Sequence, residues 1–263
     1  MIAYYIGTMG FSYKDWNGVF YPADTAQHHY LAYYSRIFNA AEIDSTFYGA
    51  PKPEVIEHWA AITPTGFKLC LKVPRVITHD LVLEGAQGLM DEFTGAARLL
   101  GEKLGVLLFQ FPPSFESVHL ARLDNFLAEL PAGLRFAVEI RNPSWYAAHE
   151  ETERVLARHG VAWAATQYPG LPARIYPTAS FLYVRWIGQH GKYPEHSHER
   201  VDRSAELEAW RQKIEANAPG KEAVYGFFNN DYAGFAPATA NRVKSIAGLP
   251  VEPLTPPQQG KLF

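Results

Sequence analysis

Glu139 and Arg141 stand two residues apart at the end of an apolar run, in the stretch RFAVEIRNPSWY at 135–146. Other apolar runs close on polar residues in the same way. Glu42 and Asp44 end AAEIDS, Lys72 lies in FKLCLKV, Gln110 in GVLLFQF, Arg185 in SFLYVRWIG, and Asn229 and Asn230 in EAVYGFFNN. Carboxylates in such places work as general acids and bases, and pairs of them cleave glycosidic bonds. A lysine that is desolvated beside other cations loses its proton more easily and can then act as a base or a Schiff-base nucleophile, an effect that adjacent carboxylates oppose. Guanidinium groups such as Arg141 and Arg185 fork onto phosphate or carboxylate. His79, in VITHD just past the third run, is of the residue type that transfers protons near neutrality. Glu42, Lys72, His79 and Glu139 are therefore the catalytic candidates. Asp44, Gln110, Arg141, Arg185, Asn229 and Asn230 are candidates for binding substrate. Tyr13, Trp16, Tyr48 and Trp145, in loops after the runs, join them because aromatic faces stack on sugar rings or bases. Each also has a plainer reading: the charges neutralise one another, the rings pack their loops, and the histidine is a satisfied structural one.

The elements that must position these residues follow from the runs themselves. Eight strand-like segments lie at 3–8, 40–45, 67–73, 105–111, 135–141, 161–167, 180–188 and 222–230. Helical spacing appears between them, in EFTGAARLLGEKLG, HLARLDNFLAELP, ELEAWRQKIEAN and PATANRVKSIAG, each ended by or close to Gly, Pro or Asn. Only the connection between the sixth and seventh segments, with YPGLPARIYPT, is too rich in proline for a long helix. Eight strands alternating with helices in about this length predict an α/β fold, a single (β/α)8 TIM barrel over 1–263 with an irregular connection between strands six and seven. A doubly wound open sheet is the alternative.

Strand parity then sorts the faces. In the fifth segment Phe136, Val138 and Ile140 share one face, and Ala137, Glu139 and Arg141 the other. The outer face of a barrel strand packs beneath helices, so the apolar set points out and the charged set in. By the same parity Leu69, Leu71, Val73, Ile43, Leu182 and Val184 point outward. Glu42, Asp44, Cys70, Lys72, Tyr183, Arg185, Tyr225, Phe227 and Asn229 point inward. Polar groups from six strands thus converge on the C-terminal mouth, where barrels of this kind place their chemistry and where water and partners relieve the cost of a charge.

These segments also carry a resemblance. GTMGFSYKDWNGVFYP, YYSRIFNAAEIDSTFYGAP, WAAITPTGFKLCLKVPRVITHD, LLFQFPPSF, AVEIRNPSWY, YVRWIG and VYGFFNNDYAGFAPATA, in order and nearly end to end, resemble the YecE-like family (domain of unknown function 72). The resemblance implies a TIM barrel and a site but no reaction. Where the family often carries Asn this chain has Asp44, and where it often carries His this chain has Ile187, with His190 nearby.

Composition bounds the rest. The 263 residues are 48% hydrophobic and 19% charged, values of a folded globular chain, and aromatic residues make up 14%. A net charge of −3 gives no global drive towards nucleic acid or anionic membranes. One cysteine, Cys70, permits no internal disulfide and fits a reducing compartment. The N-terminal stretch lacks a signal-peptide pattern and no apolar run reaches a membrane span, so a cytoplasmic protein with no membrane partner is expected. The oxygen-rich set Glu42, Asp44, His79, Glu139 and Asp231 suits magnesium or manganese, but three inward cations compete, and no metal is expected. The HSH at 196–198 reads as part of a solvated loop. GTMGFSYKDW has neither Gly-rich nucleotide spacing, and no cofactor is expected. The function read from these residues is an enzyme of unassigned reaction, an isomerase, lyase or hydrolase, acting on a small polar or anionic molecule such as a sugar or sugar phosphate. The alternatives are a nucleic-acid-binding or processing protein analogous to apurinic endonucleases, an analogy of fold alone, and a non-catalytic ligand-binding barrel.

Overall fold

A computed structural model describes residues 2–254. Its strands are β1 (Ala3–Met9), β2 (Ala40–Ile43), β3 (Lys68–Lys72), β4 (Leu104–Gln110), β5 (Arg135–Glu139), β6 (Ala162–Trp163), β7 (Ala165–Gln167), β8 (Phe181–Trp186) and β9 (Ala223–Phe228). All pair in parallel, in the order β6-β5-β4-β3-β2-β1-β9-β8-β7. The connecting helices are α1 (Tyr30–Ile37), α2 (Pro53–Ile62), α3 (Gln87–Ala97), α4 (Leu120–Ala128), α5 (Ser144–Ala147), α6 (His149–Arg158), α7 (Ser204–Asn217), α8 (Asn230–Ala233) and α9 (Ala236–Ile246).

The two ends of the sheet, β6 and β7, are consecutive pieces of what the sequence reads as one strand at 161–167. β6 pairs with β5 and β7 with β8, and Ala164 between them bonds through its N–H to the carbonyl of Val138. The barrel is therefore nearly closed, and its ring is completed by the chain itself rather than by a ladder. Thr178 stitches this seam: its hydroxyl accepts from the Trp163 N–H at 2.9 Å and donates to the Val161 carbonyl at 2.7 Å. Without that hydroxyl the Trp163 amide would be a buried donor with no acceptor, which costs about 1–3 kcal/mol. Thr178 belongs to the proline-rich 168–180 connection, which carries no helix, as its composition leads one to expect.

Parity divides the core into two. Leu69, Leu71, Val73, Val138, Ile140, Leu182 and Val184 pack with the helices in the outer layer. Met9, Cys70, Leu108, Ala137, Tyr183, Tyr225 and Phe227 fill the barrel interior. Strand ends differ from the sequence reading by at most two residues. β2 stops at Ile43, so Asp44 opens a 3₁₀ turn to Tyr48, and β9 stops at Phe228, so Asn229 caps α8. The helical run EFTGAARLLGEKLG ends early as an α-helix, because Gly101 adopts φ +56° and the chain tightens over Arg98–Lys103. None of the helices of the described residues is long and apolar enough to cross a membrane.

Candidate functional site at the barrel mouth

Register brings the charged residues together. Met9 pairs with Glu42 and Glu42 with Cys70, while Gln110 pairs with Glu139 and Arg185 with both Thr166 and Phe227. Glu42 and Glu139, from opposite parts of the ring, both reach Arg185. The guanidinium forks onto Glu42, with Nε to Oε2 at 3.0 Å and Nη2 to Oε1 at 2.6 Å, and its Nη1 donates to Glu139 Oε2. The Tyr183 hydroxyl adds a second bond to Glu42 Oε2 at 2.7 Å, and Arg141 Nε donates to Glu139 Oε1 at 2.7 Å. Both carboxylates are fully buried and Arg185 nearly so, so this network is the floor of the mouth.

The two carboxylates are not equivalent. Burial pushes Glu139 up, but Arg185 and Arg141, one on each oxygen, outweigh it and hold the acid down at about 2. For Glu42 burial prevails over its single guanidinium, Asp44 pushes the same way, and the acid is raised. Arg185 is held firmly charged, since the two carboxylates overcome its burial. Replacing either acid would leave a buried cation only partly neutralised.

Above the floor lies an unsaturated layer. Lys72, at the end of β3, holds its Nζ 3.9 Å from the centre of the Phe47 ring and, among the described residues, has no carboxylate within ion-pairing distance. Its proton is loosened by burial first and by the Arg185 charge next, with Asp44, Glu139 and Glu42 opposing. His79 meets the same Phe47 ring edge-on at 5.0 Å between centroids, and its Nδ1 pairs with the Thr78 hydroxyl at 2.9 Å. Burial and the Lys72 and Arg75 charges lower its proton affinity too. This histidine sits in a π-helical turn, Val76–Asp80, followed by Val82 and Leu83 at φ +48° and +70°. A β-branched residue at positive φ is strained, and the surrounding packing must hold it there. Arg141 lies over the Tyr168 ring, 4.9 Å from its centre, and only its Nε is engaged by protein among the described residues.

The remaining candidates fall in varied places. Gln110 is buried, with its amide on the Phe111 carbonyl. The Asn229 side chain accepts from the Asp231 N–H, and Asn230 accepts from the Ala236 N–H, so each carries a local backbone bond at α8. Asp44 stands outside the strand but close enough that its charge acts on Lys72, Glu42 and Tyr13. Tyr13 bonds the Met9 carbonyl at 2.6 Å and is only partly buried. Trp16 and Trp145 are fully buried, Trp16 among Tyr13, Phe20, Tyr21 and Phe235, and Trp145 against Phe115 with its Nε1 on the Phe115 carbonyl. Neither offers an open face, because a large ring beside an apolar layer gains more from packing than from water. Tyr48 is the opposite case, 86% exposed. Among the described residues no three His, Cys, Asp or Glu side chains stand together to share a metal ion, and Arg185 occupies the space between Glu42 and Glu139.

The loop after β8 is largely exposed, as its sequence reading has it, and His196 is the exception. The His196 imidazole lies between Asp15 Oδ2 at 3.6 Å and Asp231 Oδ1 at 3.5 Å, and its backbone N–H donates to Asp15. Asp231 also receives the Gly191 N–H at 2.9 Å. Gly188 makes this approach possible: it has φ +76°, and a Cβ there would stand 2.4 Å from the Asp231 carbonyl oxygen. The sequence signal was the glycine and the buried NNDYAG turn, whose acid needed a partner from elsewhere.

Comparison with known proteins agrees with this architecture. The family described as "Protein of unknown function DUF72" matches residues 5–261. The Escherichia coli (strain K12) UPF0759 protein YecE is 35% identical over 134 residues, 50% of this chain and 49% of that protein, so the match spans about half that relative's length. The UPF0759 protein YunF of Bacillus subtilis (strain 168) is 24% identical over 97% of this chain and 98% of its own. Among solved structures, a DUF72 family protein from Thermotoga maritima superposes with a TM-score of 0.79 at 29% identity, covering 94% of this chain and 99% of that one. A DUF72 family protein from Enterococcus faecalis gives 0.76 at 20% identity, over 95% and 99%.

Proposed function

The chain belongs to the DUF72 family, and we propose that it is an enzyme acting on a small, polar, anionic substrate, with sugar phosphates as the type, at the C-terminal mouth of its barrel. The observation that carries this reading is the contrast between floor and upper layer. Arg185 is saturated by Glu42 and Glu139, whereas among the described residues Lys72 forms no direct ion pair, the Asp44, Glu139 and Glu42 charges acting on it only at longer range, and Arg141 keeps its terminal nitrogens for a ligand. A half-buried ammonium with no direct ion pair loses hydration and gains from the protein only the Phe47 face and the more distant Asp44, Glu139 and Glu42 charges, so an entering anion supplies the direct partner. The guanidinium of Arg141, fixed at one end by Glu139 and in plane by Tyr168, presents a fork suited to phosphate or carboxylate oxygens. Lys72 and His79, both with loosened protons, are then the groups that exchange protons with the bound molecule, and Glu42 and Glu139 hold the guanidinium groups in place.

The test is a metabolite library screened by thermal shift, followed by a crystal soaked with the best hit. The expected result is stabilisation by phosphorylated or carboxylated sugars and density beside Lys72 and Arg141. Stabilisation by uncharged sugars alone, or density away from the mouth, overturns the reading.

A further inference from the structure

We propose that Lys72 forms an imine with a carbonyl carbon of the substrate, so that the substrate class is a small aldehyde or ketone carrying a phosphate or carboxylate. This rests on the reading of the mouth as an anion site and deepens it. The geometry sets Lys72 apart from the other half-buried lysines. Lys68, Lys103, Lys213, Lys221 and Lys244 all donate to backbone carbonyls, and since burial lowers the proton affinity of Lys68, Lys221 and Lys244 as well, it is these carbonyl bonds that distinguish them from Lys72. Lys72 donates to none among the described residues; its Nζ lies against the Phe47 ring. The ring face favours the ammonium, but burial and the Arg185 charge act against it, and the net direction is towards the neutral amine. Arg141, on the next strand but one, would hold the substrate's anionic end.

The step balances without oxidant or reductant. The neutral Nζ lone pair forms the C–N bond while the carbonyl π pair moves to oxygen, which takes up a proton as the nitrogen gives one up. A second proton converts that hydroxyl to water, which leaves as the nitrogen lone pair forms the C=N bond, and the protonated imine remains. His79, on the edge of the same ring with Nδ1 on Thr78, has no partner for Nε2 among the described residues, and that nitrogen would carry these protons. The protonated imine then withdraws electrons from the neighbouring carbon, which serves isomerisation or C–C cleavage.

The experiment treats the full chain with dihydroxyacetone phosphate or, separately, pyruvate, then sodium borohydride, and maps the adduct by peptide mass. Inorganic phosphate binding is measured in parallel by calorimetry. One adduct per chain is expected, on Lys72, lost in Lys72→Arg and in Lys72→Met, and suppressed by excess inorganic phosphate; melting curves establish that both variants fold. Phosphate binding with no Lys72 adduct from either carbonyl overturns the imine and leaves the anion site standing. Neither binding nor adduct overturns both. Labelling of the same extent in the folded variants assigns the reaction to surface lysines and also overturns the imine.

Discussion

The two ends of the barrel use lysine in opposite ways. At the N-terminal end Lys103 reaches the carbonyls of Ala60 and Thr63, Lys221 those of Pro177 and Ala179, and Lys244 that of Ile37. These ammonium groups tie the ends of helices and loops to the starts of strands, each giving one or two of its three donors to backbone carbonyls. At the C-terminal end Lys72 has the Phe47 ring and, among the described residues, no carbonyl acceptor. The difference teaches that a cation's place in the fold is read from its acceptors rather than its burial. A cation that has its acceptors holds structure; one that lacks them is completed by what arrives from solvent.

Within the mouth the same contrast separates Arg185 from Lys72, and the largest expected effect lies there. Arg185→Met leaves Glu42 and Glu139 facing each other without their shared cation, and breaking a buried pair of this kind costs about 3–5 kcal/mol. Chemical denaturation at neutral pH should show it. A loss below about 1 kcal/mol, within the range of an exposed ion pair, would erase the distinction between floor and upper layer.

Next in size is the pH dependence of the floor. Glu139 is held at about 2, below the ordinary 4.5, so its contribution is complete above pH 4.5 and is lost as pH falls towards 2. At about 1.36 kcal/mol per unit, that amounts to roughly 3 kcal/mol. Glu42 is raised, so its contribution runs the other way: full below the ordinary carboxylate range and lost as pH rises through its folded value. Glu139→Gln should therefore cost about 3 kcal/mol at neutral pH and progressively less on acidification. Glu42→Gln should cost less at neutral pH and show no such recovery. Unfolding curves for the two variants between pH 2 and pH 7 make the comparison, and identical profiles would contradict the asymmetry.

The smallest effect belongs to the opposite end. Lys103→Met removes bonds to two carbonyls from a half-buried ammonium and should cost about 1–2 kcal/mol while leaving anion binding at the mouth unchanged. A change in phosphate affinity in this variant would break the separation of the two ends.

How much of this was legible in the sequence depended on the kind of information each feature carries. Alternation along a strand is local, so the outward set around Val138 and Ile140 and the inward set around Cys70 and Tyr183 could be read from residue types alone. Which charges meet is set by register across the sheet. That Arg185 takes both Glu42 and Glu139, and that Lys72 forms no direct ion pair among the described residues, therefore lay beyond parity. Strand ends were overrun where a polar residue continued the alternation: Asp44 and Asn229 looked like strand and turned out to open a turn and cap a helix. Trp16 and Trp145 were legible as loop aromatics but not as buried ones, since the layer they fill is assembled from distant segments. His196 was read as solvated because its acceptors, Asp15 and Asp231, are remote in sequence on either side.

The central claim is that Lys72 stands in the mouth for an incoming anion rather than for the fold. It is tested most directly by titrating inorganic phosphate into the wild-type protein and Lys72→Met in a calorimeter, with the unfolding temperature of each measured alongside. The account predicts one phosphate site in the wild type, a loss of affinity of about tenfold or more in the variant, on the order of 1.4 kcal/mol, and an unfolding temperature that is unchanged or higher once the unpartnered ammonium is gone. Undiminished phosphate binding in a variant whose unfolding temperature has dropped would contradict it, and would make Lys72 one more structural lysine.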